Sequence, residues 1–388
     1  MGDKKLIGFI LPSLGSGGGV ERVVVNLANQ FAEKGYPVDI VLWSGNVDSP
    51  YSAEIDKSVN VISIRGPQRQ YNLLFKGIAA LCSIGKMVRY INRARPGVIF
   101  ASTCELIAIM ANELAKNRSK MAVIVHSDPS FSSVLIMQRG KILRLRFFRW
   151  LSKLLYPKAD WVTGVSKGVA EGVARNGIVP ENKIGFIYNP VVTRSLKEKS
   201  KEIPGHPWLA KKDCPVFIGV GRLSVEKNFA LLLRAFKLVS DKLDSVLLII
   251  GEGALLDDLK KLSAELGIES RVDFTGFLKN PFGAIAHADV FVLSSNVEGL
   301  PSVMIEAMAC GCQIVSTNCP SGPAEILEGG KFGRLVPVDD ETALSEAMLL
   351  AYSDPIDKNF LLEHAETFNA GAIGQQYITL AEGLMDGK

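Results

Sequence analysis

Glu298 and Glu306 stand eight positions apart in the stretch SNVEGLPSVMIEAMACG, Ser295 to Gly311. From Gly299 to Ala324, Glu306 is the one side chain with a formal charge at neutral pH, in a run that otherwise reads as core. A buried carboxylate is costly unless it is hydrogen-bonded or paired. Carboxylates accept well from sugar hydroxyls, and two of them at separate heights can grip two sugars. Upstream, GVGRLSVEKN brings Arg222 and Lys227 to a single loop. Two fixed cations there can neutralise a diphosphate and stabilise it as a departing group, although a pair of this kind standing alone also suits an ordinary solvated loop. A third loop, Gly15 to Gly19, is built almost wholly of glycine. It offers backbone N–H groups and a helix N-terminus to an anion, or it is simply a turn that needs positive φ angles.

The elements around these loops repeat one grammar. KLIGFILP reads as a strand, VERVVVNLANQFAEKGY as a helix whose Val20, Val24, Leu27 and Phe31 share a face, with Gly35 as its stop, and PVDIVLW as a second strand. This is a βαβ unit. Further strands are expected at GVIFAS, MAVIVHS, WVTGVS and KIGFIYNP. After Pro190 a polar, lysine-rich stretch reads as linker or edge loop, and the grammar then restarts. CPVFIGVGRL, SVLLIIGEG, VDFTGF, DVFVLSS and CQIVST are strands apolar on both faces, which belong in a parallel sheet covered by helices. Glu298 then sits in the loop after DVFVLSS. Glu306 sits one to two turns into a helix that starts near Pro301 and stops at Gly311. The fold class is α/β, with two doubly wound domains facing each other across a cleft and ligands outside the carboxyl ends of the strands.

Bulk properties agree with this. A chain of 388 residues, 47% hydrophobic and 22% charged, suits two buried domains rather than disorder. No apolar run approaches a membrane span, and KKLIGFILP lacks a signal-peptide cleavage pattern, so a cytoplasmic location is expected. Six scattered cysteines and four histidines lack paired metal-ligand spacing, and no D-x-D occurs; no metal and no cofactor is expected. A Walker loop is excluded because G-K-[ST] is absent. A dinucleotide fingerprint fails where Val20 replaces a small residue and where Trp43, Ser44 and Gly45 replace the ribose-binding acid, Asp39 lying inside the strand instead. That disfavours a nicotinamide-dependent oxidoreductase.

Taken in order, GGVERVVVNLANQFAEKGYPVDIV, VIVHSDP, GVGRLSVEKNFALLLRAF, GEGALLDDLKKLSAELGIESRVDFTGF and EGLPSVMIEAMACGCQIVST resemble the retaining glycosyltransferases of family 4 over nearly the whole chain. The resemblance implies the two-domain GT-B fold: residues 1–190 binding the acceptor, 191–365 binding the nucleotide sugar, and 366–388 a helix crossing back to the first domain. It implies catalytic roles for His126, Arg222, Lys227 and Glu298. Donor binding falls to Gly18, Gly19, Gly221, Phe277, Leu278, Gly299, Leu300, Pro301 and Glu306. By that match Arg222 and Lys227 clamp the diphosphate, Glu306 accepts from the ribose hydroxyls, Glu298 contacts the transferred sugar, and His126 lies near it. The implied reaction is metal-independent and proceeds on one face of the sugar. The donor is a nucleotide sugar, expected to be UDP-linked, with GDP-mannose as the alternative; a catalytically silent sugar-nucleotide binder is the rival class.

Charge is divided unevenly. Residues 1–190 carry 25 Lys and Arg against 13 Asp and Glu, and residues 191–388 carry 19 against 27. MQRGKILRLRFFRWLSKLLYPK has seven basic residues and no acid, with Arg144, Arg146, Phe147, Phe148, Arg149 and Trp150 at its centre. A helix of this composition suits an anionic lipid surface, though a core helix with a solvated basic face would read the same. No nucleic-acid-binding signature accompanies it. NCPSGPAEIL resembles bacterial family members that extend polyprenyl-diphosphate-linked glycans. The expected partners are therefore a nucleotide-sugar donor, a lipid-linked glycan acceptor and the inner face of the cell membrane, where the protein would sit peripherally.

Overall fold

The structure, a computed structural model, describes residues 4–15, 18–43, 51–64, 73–128 and 150–387, with backbone alone for 73–81. Two compact units are present: residues 1–190 together with 370–388, and residues 191–369. Each is built on one parallel sheet. The first holds β1 (Ile7–Leu11), β2 (Val38–Leu42), β3 (Val59–Ser63), β4 (Val98–Ser102), β5 (Lys120–Val125), β6 (Trp161–Gly164) and β7 (Ile184–Phe186), in the order β3-β2-β1-β4-β5-β6-β7. The second holds β8 (Val216–Val220), β9 (Val246–Ile250), β10 (Val272–Gly276), β11 (Val290–Leu293), β12 (Gln313–Thr317) and β13 (Arg334–Val336), in the order β10-β9-β8-β11-β12-β13.

Both orders reverse direction once, between β1 and β4 in the first unit and between β8 and β11 in the second. Loops leaving adjacent strands at such a point run to opposite sides and leave a crevice at the carboxyl ends. β1, β2, β4 and β9 are buried along their whole length, as strands covered on both faces must be.

In the first unit the register sets Phe9 beside Phe100, with the rings stacked at 5.3 Å. Phe31 meets them from the helix Gly19–Glu33, and Tyr377 meets Phe100 edge-on at 5.8 Å from the last helix, Ala370–Asp386. Tyr377 is fully buried, which makes the last helix part of the first unit's core. In the second unit Phe217, Phe236, Leu232, Leu247 and Val292 belong to a single apolar cluster between the sheet and its helices.

Two features depart from the sequence reading: a pair of edge strands, and the segment after Pro190. β3 and β13 were not anticipated: both are edge strands, and their mixed apolar and polar residues carry no continuous apolar signal. The stretch after Pro190 is not plain loop. It carries the short helices Arg194–Lys199, capped by Thr193 Oγ1 accepting from Leu196 N at 3.0 Å, and Pro207–Lys211. The helix expected to start near Pro301 spans Ser302–Ala309, with Pro301 as its N-cap. Arg144, Arg146, Phe147, Phe148 and Arg149 lie outside the described residues. Among the described residues no helix is long and apolar enough to cross a membrane.

Candidate active site

In the second unit the crevice is framed by the loop after β8, which carries Gly221, Arg222 and Lys227, and the loop after β11, which carries Glu298, Gly299, Leu300 and Pro301. Lys227 Nζ donates to Glu298 Oε1 at 2.5 Å, and the two side chains are only 25% and 10% exposed. Ser295 Oγ donates to the same oxygen at 2.7 Å. One carboxylate oxygen is thus fixed by a cation and a hydroxyl, and the group is held in place. Arg222 is exposed and has no ion-pair partner among the described residues. Of the two cations expected to act together, Lys227 is therefore paired with Glu298 and Arg222 is exposed.

Asn228 keeps Lys227 where it is. Its backbone is left-handed (φ 45°), a conformation that asparagine tolerates better than most residues. Its Oδ1 caps the helix Phe229–Ser240 by accepting from Leu231 N at 3.2 Å, while its Nδ2 donates to Asn296 Oδ1 at 2.9 Å and Asp339 Oδ1 at 2.7 Å. Ser294 Oγ donates to the Lys227 carbonyl at 3.0 Å, and Asn296 N donates to the Glu226 carbonyl at 2.8 Å. The two loops are thereby laced to each other. A third backbone closes on the first at Gly251 (φ 140°), where a Cβ would lie 1.9 Å from the Gly221 carbonyl oxygen.

Glu306 is 5% exposed, on the helix Ser302–Ala309, with Gly299, Leu300 and Pro301 buried before it. The segment around Gly322 (φ 91°) lies directly on that turn, its Cβ position 2.6 Å from Pro301 Cδ and 3.0 Å from the Gly299 carbonyl oxygen. Cys319, buried beside Glu298, has its thiol pushed up to about 12 by burial and then by that carboxylate. Phe277 is exposed after β10 and its N–H donates to Glu252 Oε1 at 3.4 Å. Leu278 lines a cavity of about 480 Å³ shared with His206 and Asp273.

In the first unit His126 follows β5, and its Nε2 lies 2.6 Å from Oγ of Ser102, the last residue of β4. Burial pushes its pKa down to about 4 from 6.5, so the imidazole is neutral near pH 7. Nearby, Asp128 is 1% exposed and accepts from Arg175 at 3.0 Å. Gly18 N donates to Oε2 of the buried Glu21 at 3.2 Å, one half of a capping box, which engages one amide of the glycine loop; Gly19 opens the helix.

Comparison with known proteins then fixes the family. A family model described as "Glycosyltransferase Family 4" matches residues 17–195, and one described as "Glycosyl transferases group 1" matches residues 204–370. The chain is 31% identical over 350 residues, 90% of each chain, to the N-acetylgalactosamine-N,N'-diacetylbacillosaminyl-diphospho-undecaprenol 4-alpha-N-acetylgalactosaminyltransferase of Campylobacter jejuni. It is a family 4 glycosyltransferase. Solved structures share its GT-B fold. Anabaena HepE in complex with UDP and glucose superposes with a TM-score of 0.76 at 19% identity, over 98% of this chain and 100% of that one. Sucrose-phosphate synthase from Thermosynechococcus elongatus gives 0.81 at 19% identity, over 99% and 100%.

Some residues that shape this glycosyltransferase's site escaped the sequence reading. Ser295, Ser102 and Asn228 each orient an expected site residue. Of these only Asn228 carried a signal, as an asparagine directly before an apolar helical run.

Proposed function

We propose that the glycosyltransferase moves a hexose or N-acetylhexosamine from a UDP-linked donor to a polyprenyl-diphosphate-linked saccharide, with retention of anomeric configuration. The observation that carries this reading is the Lys227–Glu298 pair, with Arg222 exposed on the loop that carries Lys227. Arg222 and Lys227 receive the donor diphosphate, and the ribose hydroxyls donate to Glu306. As the anomeric bond loosens towards an oxocarbenium-like state, the two cations stabilise the charge that gathers on the leaving diphosphate. That diphosphate takes the proton of the acceptor hydroxyl, and the new bond forms on the face just vacated. Glu298, fixed by Lys227 and Ser295, orients the sugar and forms no covalent bond to it. His126, neutral and held at Ser102, offers a ring nitrogen as a hydrogen-bond partner without adding charge. The amides around Gly299 and Leu300, with Gly221 and Pro301, shape the donor pocket, and the base rests against Phe277 and Leu278. No step calls for a metal, so turnover is expected to persist in EDTA.

Two facts support the acceptor. The Campylobacter relative is named for a diphospho-undecaprenol substrate. Trp150 and Leu154, one helical turn apart, are 58% and 51% exposed, as side chains meant for a lipid interface at the inner face of the cell membrane would be. Thermal shifts with UDP-, GDP- and ADP-sugars test the donor, because a ligand that binds only the folded chain raises its melting temperature. The largest shift is expected with a UDP-sugar, and a larger one with GDP-mannose overturns that choice. Transfer to a polyprenyl-diphosphate disaccharide, absent with the free disaccharide, tests the acceptor.

A further inference from the structure

A second polar cavity, of about 510 Å³, lies in the first unit at the end of the sheet remote from His126 and the glycine loop. Its wall is made where strands begin: Lys5 just before β1, Arg95 to Gly97 before β4, Lys120 opening β5 and Asp160 before β6. Arg118 and Lys158 complete a set of five cations against two carboxylates, Glu113 and Asp160.

Both carboxylates are already committed. Glu113 is shared by Arg118 at 2.9 Å and Lys158 at 3.2 Å. Asp160 accepts from Lys120 Nζ at 3.2 Å and from Met121 N at 2.9 Å. Lys5 and Arg95 have no ion-pair partner among the described residues. Arg95 also holds a left-handed backbone (φ 49°), where glycine would be the unstrained choice after a helix. In the same wall Ser119 is 6% exposed, and its Oγ is buried without a hydrogen-bond partner. An unmatched cation pair, three more cations at the rim and an orphaned hydroxyl donor together describe an anion's surroundings.

We propose that this cavity binds a phosphate-bearing anion, with Lys5 and Arg95 as its principal cations and Ser119 Oγ as a hydrogen-bond donor. The guanidinium of Arg95 suits phosphate because its forked donors match two oxygens at once. The volume admits several linked phosphates or a phospholipid headgroup, and the two sources share the same chemistry.

The test uses the full chain carrying Arg222→Ala and Lys227→Ala, so that the donor site does not contribute. Tripolyphosphate titrated calorimetrically is expected to bind, and adding Lys5→Gln with Arg95→Gln is expected to weaken it at least tenfold at constant salt. Ser119→Ala is expected to weaken it severalfold while leaving the ligand-free melting temperature unchanged or higher, since it removes an unsatisfied group. The Lys5→Gln, Arg95→Gln chain is then sedimented with phosphatidylglycerol vesicles. Loss of sedimentation identifies a headgroup site, and retention alongside the calorimetric loss identifies a soluble phosphate. If the two substitutions alter neither tripolyphosphate binding nor vesicle sedimentation, the proposal is overturned.

Discussion

Lys227 Nζ lies 2.5 Å from Glu298 Oε1, an ion pair between residues 71 positions apart that bridges the loops after β8 and β11. The fold brings the pair together at the point where the strand order reverses, and in the proposed reaction the same cation serves the departing diphosphate. Lys227→Met is expected to lower kcat by about 10²–10³, the usual cost of removing one donor to developing charge. Steady-state transfer assays measure this. An unchanged kcat would remove Lys227 from the chemistry.

Glu306 is assigned to the part of the donor that does not react. Glu306→Gln keeps its shape but weakens a charge-assisted hydrogen bond, so the donor KM should rise about tenfold with kcat changed less than twofold. A fall in kcat at constant KM would instead put Glu306 at the reacting centre.

His126 makes a prediction in pH. Its folded pKa, near 4, lies below the 6.5 of the exposed group, so below about pH 6.5 the unfolded chain binds a proton that the folded chain refuses. The stability tied to neutral His126 is fully present above pH 6.5 and is lost progressively as pH falls towards 4. His126→Gln lacks this slope. The gap in melting temperature between wild type and His126→Gln should therefore narrow from pH 7.5 to pH 4.5, and a gap that widens would mean the imidazole is charged in the folded chain.

Gly251 is a position where only glycine fits. A Cβ there would meet the Gly221 carbonyl oxygen at 1.9 Å, on a backbone that L residues rarely adopt. Gly251→Ala is expected to destabilise the chain by about 2 kcal/mol or more and to displace the loop carrying Arg222. Gly19→Ala, with nothing within 4 Å of the added methyl, should change stability by less than about 0.5 kcal/mol. Urea unfolding of the two variants provides the comparison.

Much of the architecture was legible in the sequence because the central strands are buried on both faces. IGFIL, VIFAS and VLLII carry a continuous apolar signal that local reading detects. The edge strands VNVIS and RLV do not, since each needs burial on fewer sides. At the site, Glu306 was conspicuous as a lone charge in an apolar run. The partner that fixes Glu298 was not, because a contact over 71 positions is made by the sheet order and not by spacing. Asn228 carried a helix-start signal, but its bonds to Asn296 and Asp339 were hidden for a related reason: only the fold brings those residues to it.

If Arg222 and Lys227 hold the donor by its diphosphate, calorimetric titration of UDP and of uridine into wild type and into the Arg222→Ala, Lys227→Ala chain will show it. UDP affinity should fall by at least about thirtyfold in the double variant while uridine binds both chains alike. Equal UDP affinity in the two chains would contradict it.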